Sequence, residues 1–373
     1  MRLGIDAREI QSGVCTGIGR PLLNFLKFFP TLMPRDQCLL FSNQPIPLKF
    51  PEPIRNIVIP ENNTWLWDQW ILPQAIHTKK VTIFYSPYYK IPVIAKCPTI
   101  AAILDLMYLV YPAYKKEMSV LKKHYYYSFG KHMAHKATRI LTCSHHSKKD
   151  IVQLYHIDPK KIVTIPLSIS SIYRPEKDHN KIRAFRKKNG LERPYLLYLG
   201  NFKIHKNVRT LIQAFNDIHD RHPDLTLVLA GPKTHEYSDL KKKISELKLN
   251  DHVRFIGKIM EDDQPHLLYS AADIFIMPSL YEGFGLPPAE AIACGTPVIA
   301  AKTASLPEVV GEAGFLVNAQ DSNELARAMI AVLKDQNLKD RMVQKGFKHI
   351  QSFEEERVAQ QMANLFISVK NAA

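Results

Sequence analysis

The sequence predicts an α/β protein built of two doubly wound halves, and three observations predict it. Short apolar runs alternate with amphipathic helical stretches, a pattern that folds into parallel sheets covered by helices. The chain has 373 residues, more than one ordinary core organises. A polar, basic interruption, Ser168–Gly190 (SISSIYRPEKDHNKIRAFRKKNG), separates two sets of strands. We therefore place an N-terminal domain at 1–172 and a C-terminal domain at 190–352. The closing helical segment, 353–373, is expected to rejoin the first. Two such domains facing one another would hold a ligand in the cleft, at the carboxyl ends of both sheets.

In the first half, RLGID (2–6), CLLFS (38–42), VTIFY (81–85), TIAAIL (99–104), RILTC (139–143) and IVTIP (162–166) read as strands. In the second, YLLYLG (195–200), LTLVLAG (225–231), VRFIG (253–257), DIFIMP (273–278) and PVIAA (297–301) do so. Pro21–Phe28, Asn207–Asp220, Asp263–Ala271 and Phe353–Val369 follow a helical pattern.

Composition narrows the function classes. No apolar run reaches about 18 residues, and the richest stretch, Ile91–Val110, is broken by Lys96, Pro98 and Asp105. MRLGIDAREI lacks the layout of a secretory leader. Cysteines at 15, 38, 97, 143 and 294 are too scattered for a metal knuckle and suit reduced thiols. A cytoplasmic protein is the expectation. The net charge of +15 is lopsided: residues 1–190 hold 29 Lys and Arg against 12 Asp and Glu, residues 191–373 hold 21 against 23. A basic first half suits an anionic partner such as phosphate, a membrane surface or nucleic acid. Nucleic acid is suggested by charge alone, since no nucleic-acid-binding motif is present.

The strongest motif is Ser279–Gly295, SLYEGFGLPPAEAIACG. A strand feeds a loop with Gly283 and Gly285. Pro287 and Pro288 suit the first turn of a helix, and Gly295 suits its stop. Glycines let backbone amides approach a ligand, and the helix start favours phosphate. Glu282 and Glu290 bracket the loop, and a carboxylate can accept from both hydroxyls of a vicinal diol. The bland alternative is a glycine turn with two surface glutamates.

This segment, within AADIFIMPSLYEGFGLPPAEAIACGTPVIA and followed by SLPEVVGEAG, resembles the signature of glycosyltransferase family 4. The resemblance runs from TGIGR (16–20) to DSNELARAMIAVLKD (321–335). It implies two Rossmann-like domains of the GT-B type, with the nucleotide mainly on the second and the acceptor on the first. It implies a retaining, metal-independent transfer of a hexose from a nucleotide-sugar to an acceptor hydroxyl. GDP-mannose is the favoured donor and a UDP-hexose the second option. A lipid-linked or surface glycan is the expected acceptor. A nucleotide-sugar epimerase or hydrolase on the same fold is the rival reading. No Asp-x-Asp follows a strand, and no cofactor or metal is expected.

Residue by residue, the resemblance assigns Glu290 to the ribose and Glu282 to the donor sugar. Gly283, Phe284, Gly285 and Leu286 would meet the sugar and diphosphate. In YLGNFKIHKN, Lys206 matches the family's diphosphate lysine, whereas Asn201 stands where many members carry arginine. In TGIGR, Gly17 matches the N-terminal glycine loop. Glu282, Lys206 and Asp105 are the expected catalytic groups. Asp105 stands in ILDLMY, where Leu104 replaces a histidine common in the family. Trp65 and Trp67, in TWLWDQWILP, resemble an acceptor-side stretch, with core packing as the alternative. In CSHHSKK, Ser144 suits a helix cap rather than a metal site.

Tyr114–Lys149 holds nine Lys and Arg against one acid, Glu117. At helical spacing Met118, Leu121, Tyr125 and Phe129 form one stripe, with Lys116, Lys123, Tyr127 and Lys131 opposite. Core packing accounts for the stripe, and an anionic cytoplasmic leaflet would account for the missing acids.

Overall fold

The computed structural model describes residues 1–10, 19–111, 119–259 and 264–372. The chain forms two compact units, Met1–Ser168 with Phe353–Ala373, and Ile169–Ser352.

Unit 1 contains a seven-stranded sheet among the described residues. Its strands are β1 (Arg2–Asp6), β2 (Gln37–Ser42), β3 (Ile54–Val58), β4 (Ile83–Ser86), β5 (Thr99–Ala102), β6 (Arg139–Thr142) and β7 (Ile162–Thr164). All pair in parallel, in the order β3-β2-β1-β4-β5-β6-β7. The closing helix, Glu355–Asn371, packs on the helix Gly19–Leu32: Phe366 meets Phe25 edge to face at 5.1 Å. Asn24 Nδ2 donates to the Glu355 carbonyl at 3.0 Å, fixing where that helix begins.

Unit 2 contains a six-stranded parallel sheet of β8 (Tyr195–Leu199), β9 (Thr226–Ala230), β10 (Val253–Gly257), β11 (Ile274–Met277), β12 (Val298–Ala301) and β13 (Gly314–Val317). The order is β10-β9-β8-β11-β12-β13. Its central strands β9, β11 and β12 are buried along their whole length, which is why they read as unbroken apolar runs. Unit 2 starts at Ile169, so the basic interruption contributes a helix, His179–Asn189, to it. Asp178 caps that helix at its start, and Gly190 closes it at φ 63°.

In each sheet the winding reverses once, between β1 and β4 and between β8 and β11. A doubly wound sheet opens a crevice there, at the strands' carboxyl ends. In unit 2 the loops that follow these two strands are Gly200–Asn207 and Pro278–Gly285.

Candidate active site

The loop after β8 is held by close backbone approach. A Cβ on Gly231 would sit 1.8 Å from the Gly200 carbonyl oxygen, so only glycine fits. Gly200 N donates to Ala230 O at 2.9 Å, and Tyr198 Oη donates to Asn201 O at 2.5 Å. The Asn201 side chain turns back on its own loop and accepts from Lys203 N at 3.2 Å. Asn207, at φ 57°, ties three elements together. Its Nδ2 donates to Pro278 O at 3.1 Å and to Ala319 O at 2.6 Å, and its Oδ1 accepts from Thr210 Oγ1 at 2.7 Å. Leu280 N donates to His205 O at 2.7 Å, so the loops after β8 and β11 are laced together.

That lacing brings Lys206 and Glu282 into one ion pair. Lys206 Nζ lies 2.6 Å from Glu282 Oε1 and 2.9 Å from Oε2, with the side chains 13% and 11% exposed. His205 beside them is buried, and its pKa is lowered to about 4, first by desolvation and then by the Lys206 charge. It is therefore a neutral imidazole at neutral pH.

The glycine loop ends at Gly285, which has φ 104° and caps the helix Leu286–Ala293. Ser305 Oγ lies 2.9 Å from Glu282 O and 2.7 Å from Phe284 O, so one buried hydroxyl pins the loop from beneath. Pro287 and Pro288 carry no N–H, so amide donors toward an anion must come from Leu286 and the residues before it. Glu290 is 4% exposed, and its Oε2 accepts from Tyr269 Oη at 2.8 Å. Among the described residues no group of three metal-ligating side chains is assembled.

The remaining expected residues lie elsewhere. Gly17 falls outside the described residues. Asp105, in unit 1, accepts from Met107 N, the first amide of the short helix Met107–Val110, at 3.0 Å. Leu104 is half-buried against the unit 1 core. The two tryptophans expected on the acceptor side part company. Trp65 is 69% exposed, but Trp67 is fully buried among Leu39, Phe41, Leu72 and Phe84. The Arg8 guanidinium lies 3.9 Å from its ring centroid. Trp67 therefore has no open face for an acceptor, which corrects that expectation. Its neighbour Asp68 was not singled out from sequence: with Asp6 it grips Arg8 at 2.6 Å from each carboxylate. Ser144 caps the helix His145–Tyr155 by accepting from Ser147 N at 3.0 Å.

In the basic segment, residues 112–118 lie outside the described ones. In the helix Val120–Lys136, Leu121 is 84% exposed, while Tyr127 packs on Tyr155 and Phe129 on Tyr89. The expected split of that helix therefore fails at 121 and 127. Gly130 sets the buried side instead, because a Cβ there would lie 2.4 Å from Tyr155 Oη.

Residues 181–349 match the family of glycosyl transferases group 1. O-antigen chain mannosyltransferase B of Escherichia coli is 32% identical over 234 residues, 62% of this chain and 60% of its own length. The chain thus spans less than two thirds of that relative. Among solved structures, sucrose-phosphate synthase of Thermosynechococcus elongatus superposes with a TM-score of 0.79 at 21% identity, covering all of both chains. Anabaena HepE, solved in complex with UDP and glucose, does so at 0.76 and 20% identity, over 98% of this chain and 99% of its own. Residues 181–349 thus resemble the glycosyl transferases group 1 family, and the two parallel, doubly wound units share the GT-B fold of these solved neighbours.

Proposed function

We propose that the protein is a retaining hexosyltransferase that moves a sugar from a nucleotide diphosphate to an acceptor hydroxyl. The observation that supports it best is the Lys206–Glu282 pair at the reversal point of unit 2, one loop from Glu290. A cation, two carboxylates and a glycine loop are the parts a nucleotide-sugar needs. Glu290 takes the ribose hydroxyls, Lys206 the diphosphate, and Glu282 the hydroxyls of the donor sugar. The name of the E. coli relative favours mannose, and so GDP-mannose, with a UDP-hexose as the second option.

In the proposed step the bond from the anomeric carbon to the diphosphate lengthens, and the acceptor attacks from the same face. The departing diphosphate oxygen takes the acceptor proton. The protein then has one main task, to stabilise charge on the leaving group and the oxocarbenium-like sugar. Leu104 exchanges no proton, which fits a step with the diphosphate as base. The proposal calls on no resident metal or cofactor. Trp65 offers an exposed ring on the acceptor side.

We also propose that unit 1 meets an anionic leaflet, where a lipid-linked acceptor would lie. Unit 1 holds 24 Lys and Arg against 13 Asp and Glu, a formal +11. Leu121 projects from its basic helix into solvent.

A thermal-shift screen against GDP- and UDP-sugars tests the donor assignment. Stabilisation by one nucleotide class is expected, and no shift with any of them would overturn it. Product analysis with and without acceptor separates transfer from the epimerase or hydrolase reading, which requires no acceptor.

A further inference from the structure

The reading of Glu290 as the ribose ligand leaves open what holds that carboxylate in place. Glu290 sits in the helix after the glycine loop and is 4% exposed. A buried carboxylate without fixed donors is costly and free to change rotamer. One donor comes from a different element, the helix Pro265–Ser270 that precedes β11. Tyr269 is fully buried there, and its hydroxyl donates to Glu290 Oε2 at 2.8 Å.

The tyrosine is fixed from three sides. Its ring meets Phe275 of β11 at 5.6 Å and Tyr173 at 5.9 Å, both edge to face. Its carbonyl accepts from Thr296 Oγ1 at 2.7 Å. Burial and the neighbouring carboxylate push the phenol well above its usual range, so it keeps its proton and remains the donor.

We propose that Tyr269 is a positioning residue for nucleotide recognition: its hydroxyl clamps one oxygen of Glu290, fixing the carboxylate in the rotamer that reads the ribose diol. The inference rests on the ribose reading of Glu290 and names the group that makes it selective. With the clamp in place the site discriminates ribose from a sugar lacking its hydroxyls. Without it the carboxylate reorients, and that discrimination goes first.

Calorimetric titration of GDP, UDP and their 2′,3′-dideoxy forms into wild type, Tyr269→Phe and Glu290→Gln tests this, with thermal unfolding of each protein. Tyr269→Phe keeps the ring and its packing and removes only the hydroxyl. Loss of a hydrogen bond to a charged group weakens ribonucleotide binding roughly 10- to 100-fold. The expected result is that loss, with dideoxy binding nearly unchanged, so that the preference for ribose collapses. Unchanged affinity and preference in Tyr269→Phe, alongside weakened binding in Glu290→Gln, would overturn the positioning role and leave the ribose reading standing. Equal losses for ribo and dideoxy forms would also overturn it, as general damage. Unchanged binding in Glu290→Gln would instead sink the ribose reading itself.

Discussion

Glu282→Gln and Lys206→Ala should move free-nucleotide binding in opposite directions. Lys206 Nζ is held by both oxygens of Glu282, at 2.6 and 2.9 Å, and neither side chain is more than 13% exposed. At such distances, with an effective dielectric of about 20, the direct attraction is about 6 kcal/mol. Desolvation of both groups offsets most of it. The net worth of such a charged hydrogen bond is about 1.5–3 kcal/mol. An arriving diphosphate must draw Lys206 away from that partner. Glutamine keeps the shape and removes the competing charge, so Glu282→Gln should bind GDP or UDP about tenfold more tightly. Its turnover should fall, because the donor sugar loses a carboxylate acceptor. Lys206→Ala removes the cation and leaves a buried carboxylate beside the diphosphate. Turnover should drop roughly 100- to 1000-fold, with weaker nucleotide binding and a lower unfolding temperature. Calorimetry of both variants with the free diphosphates reads the sign directly. Equal weakening by the two substitutions would refute the competition between Glu282 and the ligand for Lys206.

Gly231→Ala should destabilise unit 2 enough to lower its unfolding transition clearly, since the new Cβ would fall 1.8 Å from Gly200 O; an unshifted calorimetric transition would contradict this. His205 titrates near 4 in the folded chain against an ordinary 6.5. Between those values the unfolded chain binds the extra proton, so stability falls as pH falls, and His205→Gln should flatten that slope in denaturant titrations from pH 7 to 4. Trp67→Ala should cost about 3–5 kcal/mol of stability as a core truncation, whereas Trp65→Ala should leave unfolding unchanged and raise KM for acceptor. In vesicle flotation the protein should bind anionic but not neutral vesicles, lose binding at high salt, and bind less after charge reversal at Lys116, Lys123 and Lys131; equal flotation with both vesicle types, or none, would sink the leaflet proposal.

How much was legible in the sequence follows from where each element sits. β9, β11 and β12 announce themselves because strands buried on both faces must be apolar throughout. β3 and β13 were not read as strands because Arg55 and Asn56 interrupt the first, and the second offers only three consecutive apolar residues, Phe315–Val317. The glycine loop and its two glutamates were legible as a motif. Their partners were not: Tyr269 lies 21 residues before Glu290, and Ser305 lies 23 after Glu282. Only folding brings such hydroxyls to a carboxylate or a carbonyl. Trp65 and Trp67 look equivalent in sequence, yet two residues apart on a helical stretch they point to opposite sides, one inward and the other into solvent.

The central claim, retaining transfer from a nucleotide-sugar bound in unit 2, is tested most directly by the anomeric configuration of the product. Purified protein is incubated with GDP-α-mannose or a UDP-α-hexose and a glycan acceptor, and the new linkage is read by the one-bond carbon–proton coupling of its anomeric centre in NMR. An α-linked product that forms only when acceptor is present is expected. A β-linked product, or donor consumed at the same rate without acceptor, would contradict it.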